Sequence, residues 1–427
     1  MSWHALFSTL RRSPLMPLLI VGQIVIACAI LCNTLFLAWQ QLQPMLASPG
    51  IDGQNLLLAD RISGDHSAWT DAEVNQTLAE IRALPGVIAA SAGYGLPMTS
   101  GLSITWDLRY GHGRTINADG YFGRDLVKTL GIHLLAGRDF QPGDYRPMSI
   151  AFNTAPPDDA APSGNTVKTP PAPTITPALI PIGLARQLCG GLACLGKVLR
   201  TGGDGDGEQV IGITSPLLRY QLVLAQGDAV QNAILLPRYV SKPQLFSMAI
   251  RVEPGRQAAL LPAVQKILQH RLGPRLGADA EPIRVRSYAE ARHASFSDNR
   301  SALYMLGGIT LAVVLVTVMG VLGLSGFQVQ RRQRQIGIYR ALGARRRQIM
   351  SSFLGENLLL VGAASMLGMG LAWIINQLLM QHYELARLPP SWLPVGAVTA
   401  IMLGQLAVLG PARSAAGIAP AEAIRSQ

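Results

Sequence analysis

Charge is what this sequence has least of. Only 14% of its 427 residues are Asp, Glu, Lys or Arg, against 49% hydrophobic. Soluble domains carry about a quarter charged residues, so part of the chain is expected to sit in an apolar solvent. Catalytic signatures are missing too: there is no G-x-S-x-G and no H-E-x-x-H. The seven histidines (4, 66, 112, 133, 270, 293 and 382) show no metal-ligand spacing. Neither an enzymatic centre nor a bound metal or cofactor is expected. Gly191-x4-Gly196-Lys197 comes closest to a phosphate loop, but Val198 stands where a magnesium-binding Ser or Thr is required. With no other match in the sequence, any ATPase is expected to be a separate protein. Thr201–Glu208, TGGDGDGE, lacks the spaced ligands of a calcium loop and reads as a tight turn.

Uncharged runs are what the chain has instead. Leu15–Trp39, Ala302–Phe327, Leu358–Leu379 and Leu393–Leu409 predict four membrane-spanning helices, since about 20 apolar residues cross the hydrocarbon core. The first run is longer than the ~7–15 residues of a signal-peptide core and is read as a retained anchor, preceded by an interfacial helix over Met1–Ser13. Cys28 and Cys32 within it read as small packing residues. Ala364, Gly368 and Ala372, and then Gly396, Ala400 and Gly404, form small-residue ridges suited to close helix packing in lipid. The acid near the third span, Glu356, is expected to pair with arginines or cap the helix.

The net charge of +11 is concentrated rather than spread. Residues 41–300 hold 24 basic and 22 acidic side chains, whereas Gln328–Met350 alone carries seven arginines (331, 332, 334, 340, 345, 346 and 347) and no acid. With Arg11, Arg12, Arg413 and Arg425, these mark a cytoplasmic side, so the excess argues against nucleic-acid binding. Both termini are expected inside and residues 41–300 outside. Within the arginine loop Ile336, Tyr339 and Leu342 recur at three-residue steps, giving a short helix an apolar side, and Gly343 supplies a turn. That helix is either a docking handle or a topology signal.

The outer region reads as strand (Asn55–Ala59), helix (Asp71–Leu84), strand (Val87–Ala92), and later as strand (Phe246–Val252), helix (Arg256–Leu272), strand (Ile283–Val285). Two β-α-β units thus flank a central region and suggest an internal pseudo-repeat. Asn153–Pro181, with eight prolines, is expected to be a mobile or extended loop. Cys189 and Cys194 lie in this outer domain, where an oxidising compartment permits a disulfide; two free thiols remain the alternative, with metal binding a distant third.

The run IGIYRALGARRRQIMSSFLGENLLL resembles the signature of the FtsX-like permeases, the MacB group of ABC transporters. GPARSAAGIAPAEAIR (Gly410–Arg425) resembles that family's closing motif. YFGRDLVKTLGIHLLAGRDFQPGD (Tyr121–Asp144) and LARQLCGGLACLGKVL (Leu184–Leu199) are similar to stretches of its periplasmic domain. The resemblance implies a bacterial inner-membrane permease with residues 1–40 as an amphipathic N-terminal helix and the first span, 41–300 as an α+β periplasmic domain of two porter-like β-α-β halves with an inserted β-rich lobe over 101–237, and 301–427 as an FtsX-like domain. It also implies that the loop is a coupling helix, with Gln335, Ile336, Tyr339, Arg340, Leu342 and Gly343 meeting a cytoplasmic ATPase that binds ATP and Mg. A permease dimer, identical or mixed, a periplasmic adaptor and an outer-membrane channel would be the other partners, and membrane lipids the surroundings. Export of an antibiotic, peptide or lipid-like cargo is the expected function. A lipoprotein-release permease, or a regulatory permease signalling to periplasmic proteins, are the alternatives.

Overall fold

The computed structural model describes the chain apart from residues 1–14, 65–68, 100–101, 103, 149–174, 202–206, 221–226, 277–280, 332, 334–335, 339–341, 343–344, 384–386 and 418–427. It divides into two compact units, Met1–Leu42 with Asn299–Gln427, and Gln43–Asp298. The interfacial helix expected over Met1–Ser13, residues 202–206 of the turn expected over Thr201–Glu208, and the second half of the closing motif, 418–425, lie outside the described residues.

Four helices of the first unit are long and apolar enough to cross a membrane. They are α1 (Leu15–Leu46), α7 (Ser297–Arg331), α8 (Arg346–Tyr383) and α9 (Leu393–Gly417). The first is the hub. Its Gln23 lies across Gly320 of α7 and donates to the Val316 carbonyl at 2.9 Å. One to two turns on, the Cys28 thiol sits against Gly368 of α8 and donates to the Ser365 carbonyl. Cys32 then meets Gly396 of α9 so closely that a Cβ there would stand 2.7 Å from its Cα and 2.9 Å from its backbone nitrogen. Asn33 donates to the Ala372 carbonyl at 3.3 Å, and Asn376 of α8 accepts from the Leu388 amide at 2.9 Å. The small-residue ridges are therefore packed: Gly368 and Gly396 receive α1, Gly404 receives Val361, and Ala364, Ala372 and Ala400 are buried. The cysteines are packing residues, as their spacing suggested.

In the second unit, β1 (Leu56–Ser63), α2 (Asp71–Arg82) and β2 (Val87–Tyr94) form one half. The other is β12 (Leu245–Val252), α5 (Gln257–Leu272) and β13 (Val285–Ser287). The halves do not stand side by side; they interleave. The strand order β13-β1-β12-β2, antiparallel throughout, is 4-1-3-2 by chain order, that of a split β-α-β unit. Period-two alternation serves two faces. Leu57 and Ala59 bury beneath α2 (Val74, Leu78, Ile81) and α5 (Leu260, Val264, Leu268, Leu272). Leu56, Leu58 and Ala249 bury on the opposite side with α3 (Leu126–Leu130) and α6 (Tyr288–Ser295). Capping boxes at Thr70 with Glu73 and at Ser287 with Glu290 start α2 and α6, each satisfying two otherwise orphan amides. Arg292 of α6 donates to the carbonyls of Met45 and Ala47, capping the last turn of α1 with a cation.

The lobe between the halves closes on itself. From β2 the sheet passes to β4 (Ile116–Gly123), then β3 (Thr105–Arg109), β8 (Val198–Thr201), β9 (Gly207–Thr214), β7 (Ile175–Pro181) and β10 (Ala233–Leu236). A parallel pairing of β10 with β4 completes a six-stranded ring. Leu108, Ala118, Ala178, Ile180, Leu199, Val210, Ile213 and Ile234 are among its buried side chains. Gly93 permits the turn from sheet to ring: a Cβ there would stand 2.3 Å from the Phe122 carbonyl oxygen. Two short strands, β6 (Arg146–Met148) and β11 (Arg238–Val240), pair separately, and β5 (Leu134–Gly137) borders β9. α4 (Ile182–Cys189) follows β7.

The proline-rich loop ends earlier than its composition suggested. Residues 153–174 lie outside the described residues, but Ile175–Pro181 is strand β7. Ala178, Leu179 and Ile180 are wholly buried and find a parallel partner in β9, with a register shift between Ala178 and Leu179. Counting prolines across the whole segment hid that apolar run.

Candidate coupling site

The arginine loop joins α7 to α8. Residues 336–338 are helical, and the Leu342 amide donates to the Ile338 carbonyl at 3.0 Å, continuing the same turn. One side of this segment is locked to the span ends. Ile336 is 5% exposed and packs in a cluster with Val329 at the end of α7 and Ile349 at the start of α8, with Phe353 against it. Val329 and Phe353 in turn wall a small cavity shared with Ser325, Glu356, Asn357 and Val408. The loop is thus keyed to the inside of the four-helix bundle through two side chains.

The other side is open. Leu342 is 79% exposed and Ile338 49%. Four residues apart on one helical turn, they share a face. The side expected from Ile336, Tyr339 and Leu342 is divided: Ile336 is buried among apolar side chains of the span ends, whereas Leu342 is exposed. Ile338 is exposed on the side of Leu342, and the four-residue step between them was the signal that could have found it. Gln335, Tyr339, Arg340 and Gly343 lie outside the described residues. Past the turn, the Gln348 side chain accepts from the Arg345 amide at 2.9 Å and starts α8. Arg345, Arg346 and Arg347 are all exposed.

Other sequence features fall elsewhere. Cys189 and Cys194 are joined in a disulfide that closes the turn after α4, with Gly190 and Gly191 both at positive φ. Gly196 and Lys197 lead into a strand, and the lysine ammonium stands 5.6 Å over the Tyr110 ring. No helix N-terminus follows them, so the segment lacks the amide cradle of a phosphate loop.

Residues 307–420, which contain most of α7, this loop, α8 and α9, match the family described as FtsX-like permease C-terminal. The chain carries an FtsX-like permease domain. Relatives agree with that domain. The macrolide export ATP-binding/permease protein MacB of Bdellovibrio bacteriovorus is 26% identical over 58% of this chain and 38% of its own length. The pyoverdine export ATP-binding/permease protein PvdT of Pseudomonas putida is 34% identical, over 33% of this chain and 20% of that protein. An uncharacterized ABC transporter permease, YvrN, of Bacillus subtilis is 33% identical over 30% of this chain and 32% of its own. The chain thus spans between 20% and 38% of the length of these relatives. Among solved structures, the periplasmic region of MacB from Actinobacillus actinomycetemcomitans aligns at 9% identity and TM-score 0.34, covering 60% of this chain and 98% of that one. The extracellular domain of the transporter YknZ aligns at 14% and 0.32, covering 54% and 100%.

Proposed function

We propose that the chain is the permease part of an ABC-type exporter in a bacterial inner membrane, with both termini and the arginine loop in the cytoplasm. Ile338 and Leu342 dock on an ATP-hydrolysing partner, which binds ATP and Mg. Ile336, Val329 and Ile349 carry its motion into α7 and α8. Along the chain α7 follows directly on the 43–298 unit, which acts on cargo on the outer side as one half of a permease dimer. The macrolide and pyoverdine exporters named among the relatives suggest a small, partly apolar secreted molecule as cargo, handed to a periplasmic adaptor and an outer-membrane channel. One observation carries the reading: a loop whose inner side is packed on the span ends leaves two large apolar side chains bare on its outer side. Bare leucines in water are costly, and such a pair fits a partner's cleft.

The test is Ile338→Ala with Leu342→Asp. Full burial of each anchor contributes roughly 1.5–3 kcal/mol, so the double change is expected to weaken ATPase association by two decades or more while leaving membrane insertion intact. Copurification and permease-stimulated ATP hydrolysis should both be lost. Normal stimulation in the double variant would reduce the loop to a topology signal.

A further inference from the structure

Among the described arginines of the loop, Arg345, Arg346 and Arg347 stand apart from the exposed apolar pair Ile338 and Leu342. From residue 299 to residue 355 the sequence has no Asp or Glu. Arg345, Arg346 and Arg347 are exposed, and among the described residues no ion pair involves them. Arg346 and Arg347 stand in the first turn of α8 and Arg345 just before it, where the helix dipole opposes a cation. Three like charges kept together at the unfavourable end of a helix call for an anionic surface outside the chain.

Their depth says which surface. Arg346 and Arg347 open the same unbroken helix as the third span, with Arg345 immediately before it, and Ile349, Met350 and Phe353 follow within about two turns. At 1.5 Å per residue these separations run from about 3 to about 12 Å, within the thickness of one headgroup layer beside a ~30 Å hydrocarbon core. A guanidinium at that level meets phosphodiesters before it meets a cytoplasmic protein, and its planar fork pairs with phosphate oxygens in two places. We propose that Arg345, Arg346 and Arg347 bind the headgroups of anionic phospholipids, holding the start of α8 at the membrane surface while the apolar pair beside them engages the ATPase. The inference rests on the membrane-spanning reading of α8 and not on the ATPase reading.

The experiment uses the full chain reconstituted without any ATPase in phosphatidylcholine bilayers, with spin-labelled phosphatidylglycerol or phosphatidylcholine as probe. The fraction of motionally restricted label gives the preference for the anionic lipid. A preference of roughly five-fold or more is expected at about 50 mM salt, falling below about two-fold at ~500 mM as the charges are screened. Arg345→Gln with Arg346→Gln and Arg347→Gln should bring it close to parity with the total restricted lipid unchanged, which shows that the bundle is still inserted. The three Arg→Lys changes should keep most of it. Lack of preference in the unaltered chain overturns the proposal, as does a preference that survives the glutamine variant. Loss of the preference to millimolar inorganic phosphate at constant ionic strength assigns the patch to free phosphate and overturns it too. An unchanged lipid preference combined with lost ATPase binding in the glutamine variant would assign the arginines to a protein surface instead. Should the glutamine variant fail to insert, the salt titration and the lysine variant still decide.

Discussion

At the scale of single residues, the Arg219–Asp119 pair shows how much the ring-shaped lobe relies on one contact. The guanidinium reaches both carboxylate oxygens at 2.7 and 2.9 Å with side-chain exposures of 6% and 0%, and also donates to Asn117. Replacing Arg219 with Ala leaves a buried carboxylate without its fork and is expected to cost about 3–5 kcal/mol. Denaturant unfolding of the purified chain would read this as a lowered midpoint for the 43–298 unit. Replacing both members, Arg219→Met with Asp119→Leu, should come much closer to neutral, and a cost equal to that of the single change would count against this account. The sequence did not announce this pair, since Arg219 and Asp119 are 100 residues apart. The same holds for the coupling site in a subtler way. The sequence put Ile336 and Leu342 on one apolar side of the loop, yet Ile336 is buried and Leu342 exposed. Which side meets the chain and which meets water depended on where Val329 and Ile349 stand, and periodicity contains no such information.

Among elements, the glycines of the membrane helices divide into two kinds, and substitution should separate them. A Cβ at Gly320 would meet only the amide tip of Gln23, at 2.2 and 2.3 Å, which can rotate away. A Cβ at Gly396 would meet the backbone of α1 at Cys32 as well as its sulfur. Gly320→Ala is expected to shift thermal stability little, whereas Gly396→Ala should lose about 1–3 kcal/mol through forced separation of α1 and α9. Adding Cys32→Ala should not restore it, because the obstructing Cα and nitrogen remain. Melting curves of the three variants in one detergent check the order; equal losses at Gly320 and Gly396 would contradict it. The four long helices and both β-α-β halves were legible because hydrophobic runs and period-two alternation are local properties. Interleaving of the halves was not, since β1 chooses β12 across nearly 190 residues. Nor was the closing of the ring by β10 on β4, a parallel pairing between strands more than 100 residues apart.

For the whole molecule, the placement of charge makes the arrangement across the membrane testable. A reporter active only outside the cytoplasm should work when inserted near Asp158 and fail after Gly343 or Gln427. Activity at Gly343 would contradict a cytoplasmic coupling loop. Such work usually begins by removing native cysteines, and here that step is both harmful and unnecessary. Cys28 and Cys32 are buried to 0% exposure between helices, and Cys189 and Cys194 are spent on each other. The folded chain therefore presents no accessible thiol to a maleimide. Any cysteine introduced at its surface becomes the sole attachment point for a fluorophore or cross-linker, in the unaltered protein, provided that no reductant is added.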